Sequence, residues 1–134
     1  MDIDEIVETF EALDPGEDRY RFLIELGKDL PGLPDEAKVE SHRVHGCQSR
    51  VWMVAGVDEQ GHLALHADSD AFLVRGLIAV LLATYAGLSP AQAVDVDPLS
   101  TFARIGLEQQ LSMGRRNGLH SMVQRIRALA AANA

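Results

Sequence analysis

Residues Val51 to His66 read VWMVAGVDEQGHLALH. Val51 to Val57 is a short apolar run, Asp58-Glu59-Gln60-Gly61 carries turn residues, and His62 to His66 alternates polar with apolar. A buried strand, a turn and a half-exposed strand have these patterns, so the stretch predicts one antiparallel hairpin. A further strand before Gly46 would bring the sheet to about three. Outward from the hairpin the pattern is helical. Ile3, Ile6, Val7, Phe10 and Leu13 recur at helical spacing behind Asp2-x-x-Glu5, which has the form of a capping box. Asp14-Pro15 reads as N-cap and first residue of a second helix that buries Phe22, Leu23 and Leu26 and stops before Pro31-Gly32-Leu33-Pro34. On the other side, Asp68-Ser69-Asp70 offers an N-cap to an apolar helix from about Ala71 to Ala86. Ser89-Pro90 and Asp97-Pro98 open two shorter segments, and Leu119, Met122, Val123, Ile126 and Leu129 stripe a last helix. Helices, hairpin, helices is the order of an α+β domain rather than of parallel α/β. The expected fold is a small antiparallel sheet flanked by N- and C-terminal helices.

At 134 residues, 47% hydrophobic and 24% charged, the chain fits a single domain over residues 1–134 with a core of its own. The longest strongly apolar stretch, Gly76 to Leu88, has 13 residues where a membrane span needs about 18–20, so it reads as a core helix and no membrane partner is expected. The acidic N-terminus MDIDEIVE lacks the basic start of a secretory signal, and the expected location is the cytoplasm. A net charge of −8 argues against nucleic acid as a partner, which would require a basic face. The charge is uneven: residues 1–36 hold twelve acids against three bases, whereas residues 99–134 hold five arginines against one acid, an arrangement that can orient an anionic partner. Neither GxGxxG nor GxxxxGK[ST] is present, so nucleotide binding has no support.

The chain has one cysteine. That excludes an internal disulfide, a dithiol redox mechanism and any multi-thiolate metal site. In Val44-His45-Gly46-Cys47-Gln48-Ser49-Arg50 the cysteine follows glycine and has no apolar residue on either immediate side, as on a tight loop that presents a side chain. Arg43, His45 and Arg50 bring positive charge close in sequence, and loop amides can donate to sulfur; both effects lower a thiol pKa and favour the nucleophilic thiolate. The pattern fits a reactive sulfur, and it also fits a small buried cysteine. A cysteine hydrolase pairing Cys47 with His45 or His120 is a further reading. Zinc on His42, His45 and Cys47 has no recognised spacing, and no metal is expected.

Several blocks together resemble the SufE family of sulfur acceptors. Val44-His45-Gly46-Cys47-Gln48-Ser49-Arg50-Val51-Trp52 is similar to the family's V-x-G-C-x-S-x-V-W signature. Asp68 to Ala79 looks like the segment opening its central helix, Leu111-Ser112-Met113-Gly114-Arg115-Arg116-Asn117-Gly118-Leu119 like its L-[ST]-x-x-R-x-x-G-L block, and Leu23 to Pro31 like the end of its second helix. The departures are His45 before the glycine and Met113-Gly114 in the third block. The resemblance implies a compact α+β domain like that of the IscU-type iron–sulfur scaffolds. It implies a carrier and activator rather than an enzyme, whose cysteine takes sulfur from the persulfide of a cysteine desulfurase (SufS-like or CsdA-like) and relays it to an iron–sulfur scaffold. The PLP cofactor belongs to the desulfurase, and this chain is expected to have none. By resemblance Cys47 is the persulfide carrier, Gly46 and Ser49 shape its loop and can donate to the sulfur, Arg50 and Asp70 contact the partner, and Arg115 contacts either the partner or the Cys47 loop. With no second thiol in the chain, an acquired persulfide has no internal disulfide to collapse into, but it needs shelter from oxidants and stray thiols. Cys47 is therefore expected to rest against an apolar pocket and to swing out about Gly46 when the loop docks.

Overall fold

A computed structural model describes residues 1–134. The hairpin is present: strands β1 (Val51–Val57) and β2 (Leu63–Ser69) pair antiparallel, with Val51 opposite Ser69 and Val57 opposite Leu63. Asp58 closes the turn, its carboxylate accepting from the N–H groups of Gln60 and His62 at 2.9 Å. The expected third strand reduces to a single bridge between Arg43 and Trp52. Val44 N–H still bonds to the Val51 carbonyl, but Gly46 at φ 91° turns the chain away before pairing can extend.

Six α-helices surround this ribbon. Helix α1 (Ile3–Ala12) carries the predicted capping box between Asp2 and Glu5 and buries Ile6, Val7 and Phe10. Helix α2 (Glu17–Asp29) begins two residues later than Asp14-Pro15 suggested. Gly16, at φ 112°, lies outside the helical region and caps the helix without a side chain, which leaves Pro15 in the preceding turn. Of its three expected core residues only Leu23 is fully buried; Phe22 and Leu26 pack at the margin. Helix α3 (Phe72–Tyr85) is the centre of the core. It buries Val74, Leu77, Ile78, Val80, Leu81 and Tyr85, at roughly 1.5–3 kcal/mol for each large side chain removed from water. Gly76 and Gly27 let α2 and α3 approach backbone to backbone: a Cβ on Gly76 would stand 2.1 Å from the Leu23 carbonyl oxygen. Helices α4 (Pro90–Val94), α5 (Pro98–Arg104) and α6 (Met113–Asn133) start on the side-chain caps Ser89, Asp97 and Ser112. No helix is long and apolar enough to cross a membrane.

The start of α3 corrects the sequence reading of Asp68-Ser69-Asp70. The N-cap is Ala71, with no side-chain capping bond. Asp68 is instead the buried hub of a polar cluster, only 3% exposed. It pairs with Arg75, accepts from Leu33 N–H at 3.0 Å and from its neighbour Ser69 N–H at 2.8 Å, and has Lys38 Nζ at 3.4 Å. Arg75 then donates to the carbonyls of Gly27 and Leu30 at the end of α2. Burial alone would raise the Asp68 carboxyl, but two N–H donors and two cations outweigh it and hold its pKa below the ordinary value. The cluster ties the end of α2, the 31–38 segment and the β2–α3 junction together, and so anchors the chain that leads into the cysteine loop.

Candidate functional site

Residues 45–50 form an irregular loop between the 3-10 turn at Glu40–His42 and β1. The loop lies along α6 where that helix has small side chains. A Cβ on Gly114 would strike the Gln48 side chain at 2.1 Å, one on Gly118 would touch Cys47 Sγ at 3.4 Å, and one on Gly46 would meet Ser121 Oγ at 2.5 Å. Loop residues 48, 47 and 46 thus sit in turn against helix residues 114, 118 and 121. Glycine is required twice over at position 46, by the contact with Ser121 and by its φ of 91°.

Cys47 is half-buried, and its thiol donates to the Gly118 carbonyl at 3.6 Å. It faces a cavity of about 10 Å³, room for the centre of one water-sized atom, lined by Val74, Leu77 and Met122 from the core and by Gln48, Gly114, Arg115 and Gly118. The apolar seat expected for the resting thiol is therefore there. Its electrostatics differ from the sequence reading. Burial pushes the thiol above its ordinary pKa, and the cations that pull it part of the way back are Arg43 and Arg115. His45 and Arg50 do not act on it. His45 is exposed, with Nε2 2.9 Å from Glu40, and Arg50 points into solvent. At rest the sulfur is a neutral thiol in a partly dry niche.

The remaining predicted residues differ in how they relate to this loop. Ser49 Oγ accepts from Arg115 Nη1 at 2.7 Å, so its hydroxyl serves the arginine and not the sulfur. Asp70 is exposed and holds the loop's far end, accepting from Arg50 N–H at 3.0 Å. Val51 is fully buried under the loop, whereas Trp52 lies on the other face of β1 between Lys38 and Arg43, 5.7 and 5.9 Å from its ring centroid. His120 faces Glu108 at 3.6 Å, and with His45 held by Glu40, neither histidine forms the pair a cysteine hydrolase needs. No three His, Cys, Asp or Glu side chains converge as metal ligands. Sequence reasoning did not assign Val74, Leu77, Met122 and Gly114 to the site. The signal for the last was two glycines four apart, Gly114 and Gly118, in a helix where each costs roughly 1 kcal/mol against alanine.

Known proteins resemble this chain over most of its length. Residues 4–130 match the family model of the SufE Fe–S metabolism associated domain. An uncharacterized SufE-like protein of Rhizobium etli is 46% identical over 93% of this chain and 86% of its own. One from Rhizobium meliloti is 43% identical over 94% and 92%. The sulfur acceptor protein CsdE of Escherichia coli is 43% identical over 88% of this chain and 80% of its own. The solution structure of a hypothetical protein from Thermus thermophilus superposes with a TM-score of 0.78 at 27% identity, over 97% of this chain and 93% of that one. The chain belongs to the SufE family.

Proposed function

We propose that Cys47 accepts a sulfur atom from the persulfide of a PLP-dependent cysteine desulfurase in the cytoplasm and hands it on toward iron–sulfur cluster assembly. The Cys47 thiolate attacks the outer sulfur of the donor persulfide. A bond forms between Cys47 Sγ and that sulfur, the donor's S–S bond breaks, and the donor cysteine leaves as a thiolate that takes up the proton Cys47 lost. Nothing is oxidised or reduced overall, and no cofactor on this chain is needed.

The observation that carries this reading is the seat of the only thiol: on a loop, half-buried, beside a cavity with room for one further atom. A persulfide sulfur placed there would be sheltered from solvent thiols by Leu77, Val74 and Met122. The thiol is neutral while seated, and moving it into a partner's polar active site removes the burial that raises its pKa. Gly46 is the natural pivot for that movement. The test is mass spectrometry after incubation with the desulfurase, PLP and L-cysteine. The chain should gain the mass of one sulfur atom and Cys47→Ser should gain none. Absence of added sulfur on the wild-type chain would refute the reading.

A further inference from the structure

A second cavity, of about 290 Å³, opens beside the Cys47 loop and is lined by Arg43, Val44, His45, Ser121, Gln124 and Arg125. It adjoins the sulfur site directly, because His45 precedes Gly46 and Ser121 is the side chain against which Gly46 packs. Two guanidinium groups and no carboxylate line it, in a chain of net charge −8. Glu40 reaches His45 Nε2 at 2.9 Å. Arg125 Nη2 donates to the Ser41 carbonyl at 3.2 Å, and the Arg43 guanidinium stands 5.9 Å from the Trp52 ring centroid. The Nε–H groups of both arginines are buried with no acceptor in the chain. Unpaired buried donors are uncommon and costly, and each one here belongs to a planar fork suited to a carboxylate. Ser121 and Gln124 add a hydroxyl and an amide that can complete the shell of such a group.

We infer that this cleft seats an aspartate or glutamate side chain of the sulfur-donating partner, so that Arg43 and Arg125 register the Cys47 loop on that protein. The inference rests on the sulfur-acceptor reading for the identity of the partner. It is tested by calorimetric titration of the cysteine desulfurase with the full chain carrying Cys47→Ser, so that docking is measured without transfer. Added Arg125→Gln should raise Kd about tenfold and flatten its dependence on sodium chloride, while Arg125→Lys, which keeps the charge but not the fork, should keep the salt dependence and lose part of the affinity. Gln124→Glu places a carboxylate in the cleft from an exposed position that folding does not depend on, and should weaken docking by a similar factor. Parent-like affinity in both Arg125→Gln and Gln124→Glu would overturn the proposal. So would binding of sodium acetate or inorganic phosphate by the cleft with no effect on the desulfurase Kd beyond that of sodium chloride at equal ionic strength, which would mark a small-anion site apart from docking. If instead the affinities change as expected but the chain with Cys47 intact acquires no sulfur, it is the acceptor reading that fails, and the cleft stands as a docking site.

Discussion

Replacing Gly118 by alanine should make the protein more stable and a poorer keeper of sulfur. Gly118 is buried in the interior of α6, with ordinary helical backbone. The added methyl would stand 3.4 Å from Cys47 Sγ and 3.5 Å from its Cα and Cβ, which is normal contact and not a clash. Alanine is favoured over glycine in a helix interior by roughly 1 kcal/mol, a gain that corresponds to about 4 °C in Tm for a domain of this size. The same methyl takes space from a cavity of only about 10 Å³, which Gly118 helps to line. A sulfur acquired on Cys47 while docked would then have no seat when the loop returns. The assay loads wild-type and variant chains with the desulfurase, separates them, and follows loss of the added sulfur mass during a chase with glutathione. The wild-type persulfide should survive several times longer, with Tm higher in the variant. Equal lifetimes alongside a raised Tm would show that the cavity does not shelter the sulfur. A lowered Tm would refute the packing argument itself.

Other consequences can be checked with the same material. Cys47→Ser should fold with a stability within about 1 kcal/mol of wild type, because the side chain is on a loop and only partly buried, as thermal unfolding will show. Alkylation of Cys47 by iodoacetamide should rise with pH through a midpoint above that of a free cysteine, about 8.5, and Arg115→Gln should move it higher by removing one of the two cations that oppose burial; a wild-type midpoint below about 8.5 would contradict the geometry. Asp68→Asn should cost about 3 kcal/mol by leaving Arg75 without its buried partner, measured by urea unfolding. The folded Asp68 carboxyl titrates below its unfolded value, so its contribution is present above about pH 4 and is lost as pH falls through the lower folded pKa; the variant should lack that part of the acid destabilisation.

What could be read in the sequence was whatever a local pattern encodes. The hairpin, the capping box of α1, the Pro-led starts of α4 and α5, and Cys47 on a loop after glycine all follow from spacing and residue type. The misreadings lie where a distant partner decides. Asp68 stands where a helix cap belongs, but Arg75 and Leu33 N–H, from two other parts of the chain, draw its carboxylate into the core. Three cationic or titratable residues flank Cys47 in sequence, yet only Arg43 acts on it, and the second cation, Arg115, comes from a helix more than sixty residues later. Proximity along the chain gave the sign of the neighbouring charges, not the burial that outweighs them. The cavity is made by α3 and α6 side chains that read as plain core residues, and nothing local distinguishes Leu77 or Met122 from the rest of an apolar stripe.

The geometry also bears on how a carrier can be closed to water and yet open to an enzyme. The loop rests on α6 through few and weak ties: a thiol-to-carbonyl contact at 3.6 Å, the Ser49–Arg115 bond at 2.7 Å, and the packing of Gly46 on Ser121. Each such hydrogen bond contributes about 1 kcal/mol net, so lifting the loop costs only a few kcal/mol, well within what a protein interface can supply. Releasing the thiol would do more than expose it, because the burial that raises its pKa is lost in the same movement. On the proposed function, holding and activation would be opposite ends of one displacement. A sulfur that stayed in its niche would be protected but inert, and one permanently outside would be reactive toward any thiol. Arg115 has two effects on the seated loop, since it braces Ser49 and lowers the thiol pKa. Its loss should slow transfer even when docking is saturated, whereas a purely bracing role would leave the saturated rate unchanged.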